Sequence, residues 1–355
     1  MIKLIGITTI FFLLMSCDSK NVEITLPLSQ TSYFPPLSSA IWETKSVASL
    51  GWKQQAVPPL LDYLASKNTK SFIILVDGRI VMENYFNGHS ATANWYWASA
   101  AKTLTATLTG IAQQENLLNI NDPVSKYLGA GWTSATLAQE NLISCKNLLN
   151  MTSGLEDIAN GDSVTPVSLT YKADAGTRWA YHNVFVKLQD VIAQASGQSW
   201  NTYFNTKLRD KIGMNGFWFK SENNIVYSST TRSMARFGLL ILNKGKWENT
   251  TILNEFYANE STNTSQNINL AYGYLWWLNG KSSFKLPQSQ VTFQGSIIPT
   301  APADMFMALG KNDQKIYVVP SKKMVIIRMG DAADSTNLAL SDFDAVLWQK
   351  ISALY

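Results

Sequence analysis

Runs of β-branched and aromatic residues fall near both ends of this chain, and the stretch between them reads mainly as helix. A sheet assembled from such a chain must take strands from both halves and carry the middle as an insertion. The first run, SFIILVDGRIVMENYF at 71–86, gives two strands joined by Asp77 and Gly78, a pair suited to the tight turn of a β-hairpin. DMFMALG, QKIYVVP and KMVIIRMG, between 304 and 330, are spaced as a meander, and a helix over about 337–354 closes the chain. Between these ends, TLTATLTGIAQQEN at 103–116, NVFVKLQDVIAQASG at 183–197 and TTRSMARFGLLILNKG at 230–245 carry helical spacing. VPPLLDYLASK at 57–67 is a shorter helix with proline near its start. The expected class is α+β: an antiparallel sheet built from both chain ends with flanking helices, plus an inserted helical domain. Segments 46–110 and 251–355 are assigned to the sheet domain and 111–250 to the mainly helical one. A cleft is expected where they meet.

With 46% hydrophobic and 15% charged residues over 355 positions, the chain can bury a large core. Its formal charge of +4 is spread without a Lys/Arg run, which argues against nucleic-acid binding. Two histidines, His89 and His182, and two cysteines, Cys17 and Cys145, are too few for a zinc site of the usual kind, and no metal or cofactor is expected. At the N-terminus, Lys3 precedes the apolar run LIGITTIFFLLM and then Ser16 and Cys17. That run is short for a membrane span and reads as an export signal. Leu14, Met15, Ser16 and Cys17 resemble a bacterial lipoprotein signal, which implies lipid attachment at Cys17 and anchoring in the bacterial cell envelope. Residues 1–17 would then be the signal peptide and 18–45 a tether and surface arm. Cys145 would have no partner for an intramolecular disulfide.

The stretch WASAAKTLTATLTG at 97–110 places Ser99 three residues before Lys102, at the mouth of an almost uncharged helix. Residues i and i+3 share a helix face, and a serine that opens a helix lies beside free N–H groups. Serine needs a neighbour to take its proton, and neither histidine has a context that argues for the task. Lysine can act as that base near neutrality only if it titrates about 3 pH units below its free value of about 10.4. Burial beside Leu104, Ala106 and Leu108 is the expected means. Ser282 and Lys285 repeat the spacing in KSSFK, which reads as a polar loop, so the pattern is not specific by itself.

Ser99-Ala-Ala-Lys102, INDPVSKYL at 120–128, LLNMTSGL at 148–155 and Tyr181-His-Asn183 after Gly176-Thr177 together carry a resemblance over nearly the whole mature chain. The chain resembles the serine β-lactamase and penicillin-binding-protein superfamily. Its likeness is to the class C-like branch that also holds esterases, D-amino-acid peptidases and 6-aminohexanoate-dimer hydrolases. The resemblance implies a β-lactamase/transpeptidase-like fold and an acyl-enzyme on Ser99. Tyr181 would share the proton relay with Lys102, and Asn183 would hold Lys102 and the substrate. Tyr-x-Asn also occurs at 85–87, 203–205 and 257–259, but only Tyr181 has the family's Gly-Thr lead-in.

The third motif departs from the family, whose Lys-Thr-Gly or His-containing equivalent aligns with Ala308, Leu309 and Gly310, the ungapped alternative placing it nearer Met305. Gly310 would let the strand approach the substrate, and the backbone N–H of Lys311, with that of Ser99, would form the oxyanion hole. Strand alternation argues that Lys311 does not simply replace the missing cation. The loss of that cation makes strong β-lactamase activity less expected and resembles the oligomer hydrolases and esterases. The reading is a serine hydrolase of small amides or esters, held to a membrane by a lipid. Alternatives are a β-lactamase or D-alanyl-D-alanine carboxypeptidase, and a non-catalytic binding lipoprotein of the same fold.

Overall fold

Thr69–Val76 (β1) and Arg79–Tyr85 (β2) pair antiparallel through a turn at Asp77 and Gly78, whose φ angles of 52° and 80° are both left-handed. Aspartate tolerates that conformation and glycine adopts it freely, as the sequence predicts. This hairpin belongs to the computed structural model, which describes residues 32–38, 40–221, 224–334 and 342–355. The expected signal segment 1–17, with Cys17, and tether residues 18–31 lie outside the described residues.

The remaining strands are Trp95–Tyr96 (β3), Phe217–Ser221 (β4), Asn224–Ser229 (β5), Lys246–Trp247 (β6), Thr250–Thr251 (β7), Trp277–Leu278 (β8), Ser283–Lys285 (β9), Thr292–Gln294 (β10), Phe306–Gly310 (β11), Gln314–Val319 (β12) and Met324–Gly330 (β13). The main sheet runs β2-β1-β13-β12-β11-β8 with every pair antiparallel, so strands near the two chain ends meet at the β1–β13 pairing.

The helices are Val57–Ser66 (α1), Lys102–Gln114 (α2), Ser125–Leu128 (α3), Leu137–Glu140 (α4), Cys145–Leu149 (α5), Lys187–Ser196 (α6), Trp200–Phe204 (α7), Thr231–Leu242 (α8), Glu255–Ser261 (α9) and Asp342–Ser352 (α10). α8 lies against β1, β12 and β13 on the sheet face that carries Ile316. Alternation sends Lys315 and Tyr317 to the other face, where they meet Asp344 and Trp348 of α10. With both faces covered, β11, β12 and β13 are buried along their whole lengths, which suits their continuous apolar runs.

Every residue of α2 from Lys102 to Ala112 is buried. Its alternating threonines are accommodated because Thr103, Thr107 and Thr109 donate their hydroxyls to carbonyls one turn back. Thr105 accepts from Gln189 Nε2 of α6 at 3.1 Å. An uncharged helix with satisfied hydroxyls can thus run through the core between α6 and α9.

The middle of the chain is mainly helical, and within it β4 and β5 pair with β3 in a second, three-stranded sheet that the sequence reading does not anticipate. FWFKS and NIVYSS have the strand composition that marks it. One expectation needs correction: KSSFK is not a loop, since Ser283–Lys285 is β9, paired with β10. A lysine extended along a strand cannot fold back on Ser282 as Lys102 does on Ser99, so backbone conformation separates the two Ser-x-x-Lys matches.

Candidate active site

Ser99 occupies one turn of 3-10 helix, Ala98–Ala101, that runs directly into α2 at Lys102. The turn is held from both sides. Trp97 N donates to Tyr227 O at 2.8 Å, and its buried indole N–H donates to Ser229 Oγ at 2.8 Å, tying it to β5. Ala98, just before the serine, has φ 47°, a left-handed conformation that costs a residue with a Cβ about 1–2 kcal/mol. Strain of that kind persists only where surrounding structure imposes it, and here it sets the direction in which Ser99 leaves the chain.

Lys102 Nζ donates to Ser99 Oγ at 2.8 Å. The lysine side chain is 7% exposed, and its amine sits 4.9 Å from the ring centre of Tyr181 and 4.6 Å from that of Phe185. Leu104, Ala106 and Leu108 are buried as expected, but the aromatic rings against the amine come from residues about eighty positions away. No carboxylate forms an ion pair with Lys102 among the described residues. Tyr181 is itself braced, with its ring stacked 5.6 Å from Trp277 and edge-on to Tyr272 at 6.2 Å.

Gly310, the last residue of β11, packs directly on the nucleophile turn. A Cβ at this position would lie 2.4 Å from Trp97 O and 3.1 Å from Ala100 N. No side chain fits there, which is a physical reason for glycine at the third motif. β11 then turns into β12 through Lys311, Asn312 and Asp313, the last two with left-handed φ of 62° and 59°. Gln314 Nε2 reaches Asn312 O at 3.0 Å and Gly330 O at 2.6 Å, and Arg328 Nη1 reaches Asn312 O at 2.9 Å and Asp313 O at 3.0 Å. Beneath the turn Lys315 pairs with Asp313 at 3.1 Å and Asp344 at 2.8 Å, all three fully or nearly fully buried. Burial raises the Asp344 carboxyl above the usual carboxylate range against the opposing pull of Lys315.

These elements enclose a cavity of about 500 Å³ lined by Ser99, Lys102, Tyr181, Asn183 and Lys311 together. Five residues far apart in sequence are thereby brought to one space, with Gly310 behind Ser99. Asn183 also donates from Nδ2 to Asp162 O at 3.1 Å. Ala308 is fully buried, and Lys311, beyond the strand end where alternation no longer applies, is exposed and lines the cavity.

Sequence reasoning missed the rest of the wall. Trp218, Phe219, Ile225 and Val226 of the β4–β5 hairpin line one side, and Asp162 and Asn224 meet at its rim through a 3.1 Å hydrogen bond. The strand composition of β4 and β5 was the available signal; nothing local marks Asp162. Trp97, Trp276 and Trp277 are buried in packing and do not line the cavity. Cys145 is fully buried, and burial pushes its thiol up to about 12, so it is an inert core residue. Among the described residues no group of three His, Cys, Asp or Glu side chains could hold a metal ion.

A sheet built from both chain ends, a serine–lysine turn against the end of β11 and a tyrosine ring beside the lysine define a serine-hydrolase-type fold. The chain matches the model of the Beta-lactamase family over residues 69–346 and belongs to that family. An uncharacterized protein of Alkalihalophilus pseudofirmus is 24% identical over 298 residues, covering 73% of this chain and 82% of that one. A Bacillus anthracis protein designated by inference a 6-aminohexanoate-dimer hydrolase shares the fold with a TM-score of 0.69 and 19% identity, over 90% of this chain and 89% of that one. A class C beta-lactamase mutant with one tyrosine changed to phenylalanine superposes with a TM-score of 0.62 and 19% identity, over 84% and 96%. The octameric penicillin-binding protein homologue of Pyrococcus abyssi does so with a TM-score of 0.62 and 14% identity, over 84% and 77%.

Proposed function

We propose that this chain is a hydrolase of small amides or esters that acts through an acyl-enzyme on Ser99. The observation that carries the reading is the 2.8 Å contact between Lys102 Nζ and Ser99 Oγ in a cavity that also holds Tyr181. With the amine neutral, its lone pair takes the serine proton as Oγ attacks the carbonyl carbon, and the carbonyl oxygen becomes an oxyanion. The backbone N–H groups of Ser99 and of Lys311, the residue after the third-motif glycine, are assigned to that oxygen, each such donor being worth about 100- to 1,000-fold in rate. Tyr181, against Lys102, passes the proton to the leaving amine or alcohol as the carbon–leaving-group bond breaks. Water then attacks the ester on Ser99, gives up its proton by the same route, and regenerates the serine.

A fluorophosphonate probe tests this. The parent protein is expected to gain one adduct by intact mass and Ser99→Ala none; a folded parent that stays unlabelled by both this probe and a small acylating ester would sink the reading. A second reading, β-lactamase or D-alanyl-D-alanine carboxypeptidase, draws support from the exposed Lys311 side chain in the cavity, a cation available to a substrate carboxylate. Rapid turnover of a chromogenic cephalosporin in the same assay would favour it.

The lipid anchor and cell-envelope location are part of the proposal and rest on the segment ending at Cys17. Metabolic labelling with a radioactive fatty acid is expected to mark the full chain and not Cys17→Ser; equal labelling of both would count against it.

A further inference from the structure

His182 stands between Tyr181 and Asn183 with extended backbone, φ −136° and ψ 153°, and like them it borders the cavity. It is 4% exposed, and neither ring nitrogen has a hydrogen-bond partner. A buried polar atom left unpaired costs about 1–3 kcal/mol, so two on one ring call for a reason. The same deficit recurs beside it. Asp157 Oδ1 accepts from Arg178 Nη2 at 2.6 Å, yet Asp157 Oδ2 and Arg178 Nη1 are buried without partners.

Met151 holds the backbone behind the motif at two points. His182 N donates to the thioether sulfur of Met151 at 3.4 Å, and Ala180 N to Met151 O at 2.9 Å, from a residue that itself has φ 61°. The charges bearing on the imidazole are Asp157, Asp162 and Glu156, which favour its protonated form, and Lys102 of α2, which opposes it. Arg178 is tied to the first of these. Burial outweighs the carboxylates and holds His182 below the ordinary histidine range, so the ring is neutral near pH 7.

We propose that His182 is a positioning residue for Tyr181 and Asn183, and that on taking up a proton it turns to pair with the unpartnered oxygen of Asp157 and draws the 181–183 segment away from Ser99. An imidazolium has two N–H donors and no acceptor, and Asp157 Oδ2 is a buried carboxylate oxygen without a partner. That movement acts on the segment that carries Tyr181. Only the kinetic part of this inference rests on the serine-hydrolase reading.

The chain has two histidines, so its imidazole NMR signals are two, and His89→Gln assigns them. The midpoint of the His182 titration would be compared with the pH dependence of single-turnover acylation by the small acylating ester, in the parent, Asp157→Asn and Glu156→Gln. In the parent the two midpoints are expected to coincide, with acylation falling about ten- to a hundred-fold as the ring takes its proton. Asp157→Asn removes the carboxylate that most favours the imidazolium, so it should move both midpoints to lower pH together. Glu156→Gln should move them the same way by less, and it serves if Asp157→Asn fails to fold. A His182 midpoint indifferent to both substitutions, or an acylation profile that stays put while the His182 midpoint moves, overturns the proposal. If nothing acylates at any pH, the serine reading fails, while the NMR shift in Asp157→Asn still decides whether His182 and Asp157 are coupled.

Discussion

Replacing Lys102 with methionine is expected to slow acylation of Ser99 by about a hundred- to ten-thousand-fold, the range a positioned general base contributes, while the protein stays folded. Methionine follows the lysine stem and ends in an apolar thioether, so it fills the space between the Tyr181 and Phe185 rings, 4.9 and 4.6 Å from the amine. Sulfur–aromatic contacts of about 0.3–1.5 kcal/mol replace those the amine made with the two rings. A buried amine disappears without leaving a buried charge unpaired, and Ser99 Oγ borders the cavity, where water can reach it. Thermal melting should therefore be little changed while the fluorophosphonate reaction collapses. A variant that melts normally and labels at the parent rate would place the base elsewhere and remove the central role given to the 2.8 Å contact.

The second large effect is expected from Gly310→Ala. The backbone at this position is extended, φ −127° and ψ 153°, which any residue adopts, so conformational freedom is not what glycine supplies. It supplies room: the added methyl would lie 2.4 Å from Trp97 O and 3.1 Å from Ala100 N, and both atoms belong to the backbone of the nucleophile turn. Neither can swing aside as a flexible side chain would. The serine turn is tied to β5 through Trp97, and the turn that follows β11 is held at Asn312 O by Gln314 and Arg328, so the clash must separate β11 from Ser99. Overpacking of this sort costs about 1–3 kcal/mol in stability. A displacement of about 1 Å at a reacting centre costs about 100-fold in rate. Acylation and melting temperature should fall together, with the larger proportional loss in acylation. Parent-like acylation in Gly310→Ala would mean that the separation of β11 from Ser99 does not govern the reaction.

Much of the architecture was legible because it rests on short-range pattern. Asp77-Gly78 between two β-rich runs specifies its hairpin locally, and the meander of β11 to β13 follows from three apolar runs at even spacing. The β4–β5 hairpin escaped because its surroundings are helical and its residues toward the cavity mix aromatic and aliphatic side chains, which helix and strand readings both accept. KSSFK escaped for a related reason: a stretch that is polar apart from Phe284 suggests a loop, yet β9 is a short strand paired only with β10, where little apolar patterning is required.

At the site, sequence alone determined the spacing of Ser99 and Lys102, because one helical turn brings i and i+3 together wherever the segment is helical. It also determined that α2 would be buried, since a run of threonine, alanine and leucine has no charge to keep it in water. Only the tertiary structure decided what faces the lysine, which residue of the third motif touches the serine turn, and where His182 points. The first two are contacts between segments some eighty to two hundred positions apart. All three depend on how the sheet edge, the second motif and the helical layer pack, and close packing of complete surfaces is not encoded in any one stretch of chain.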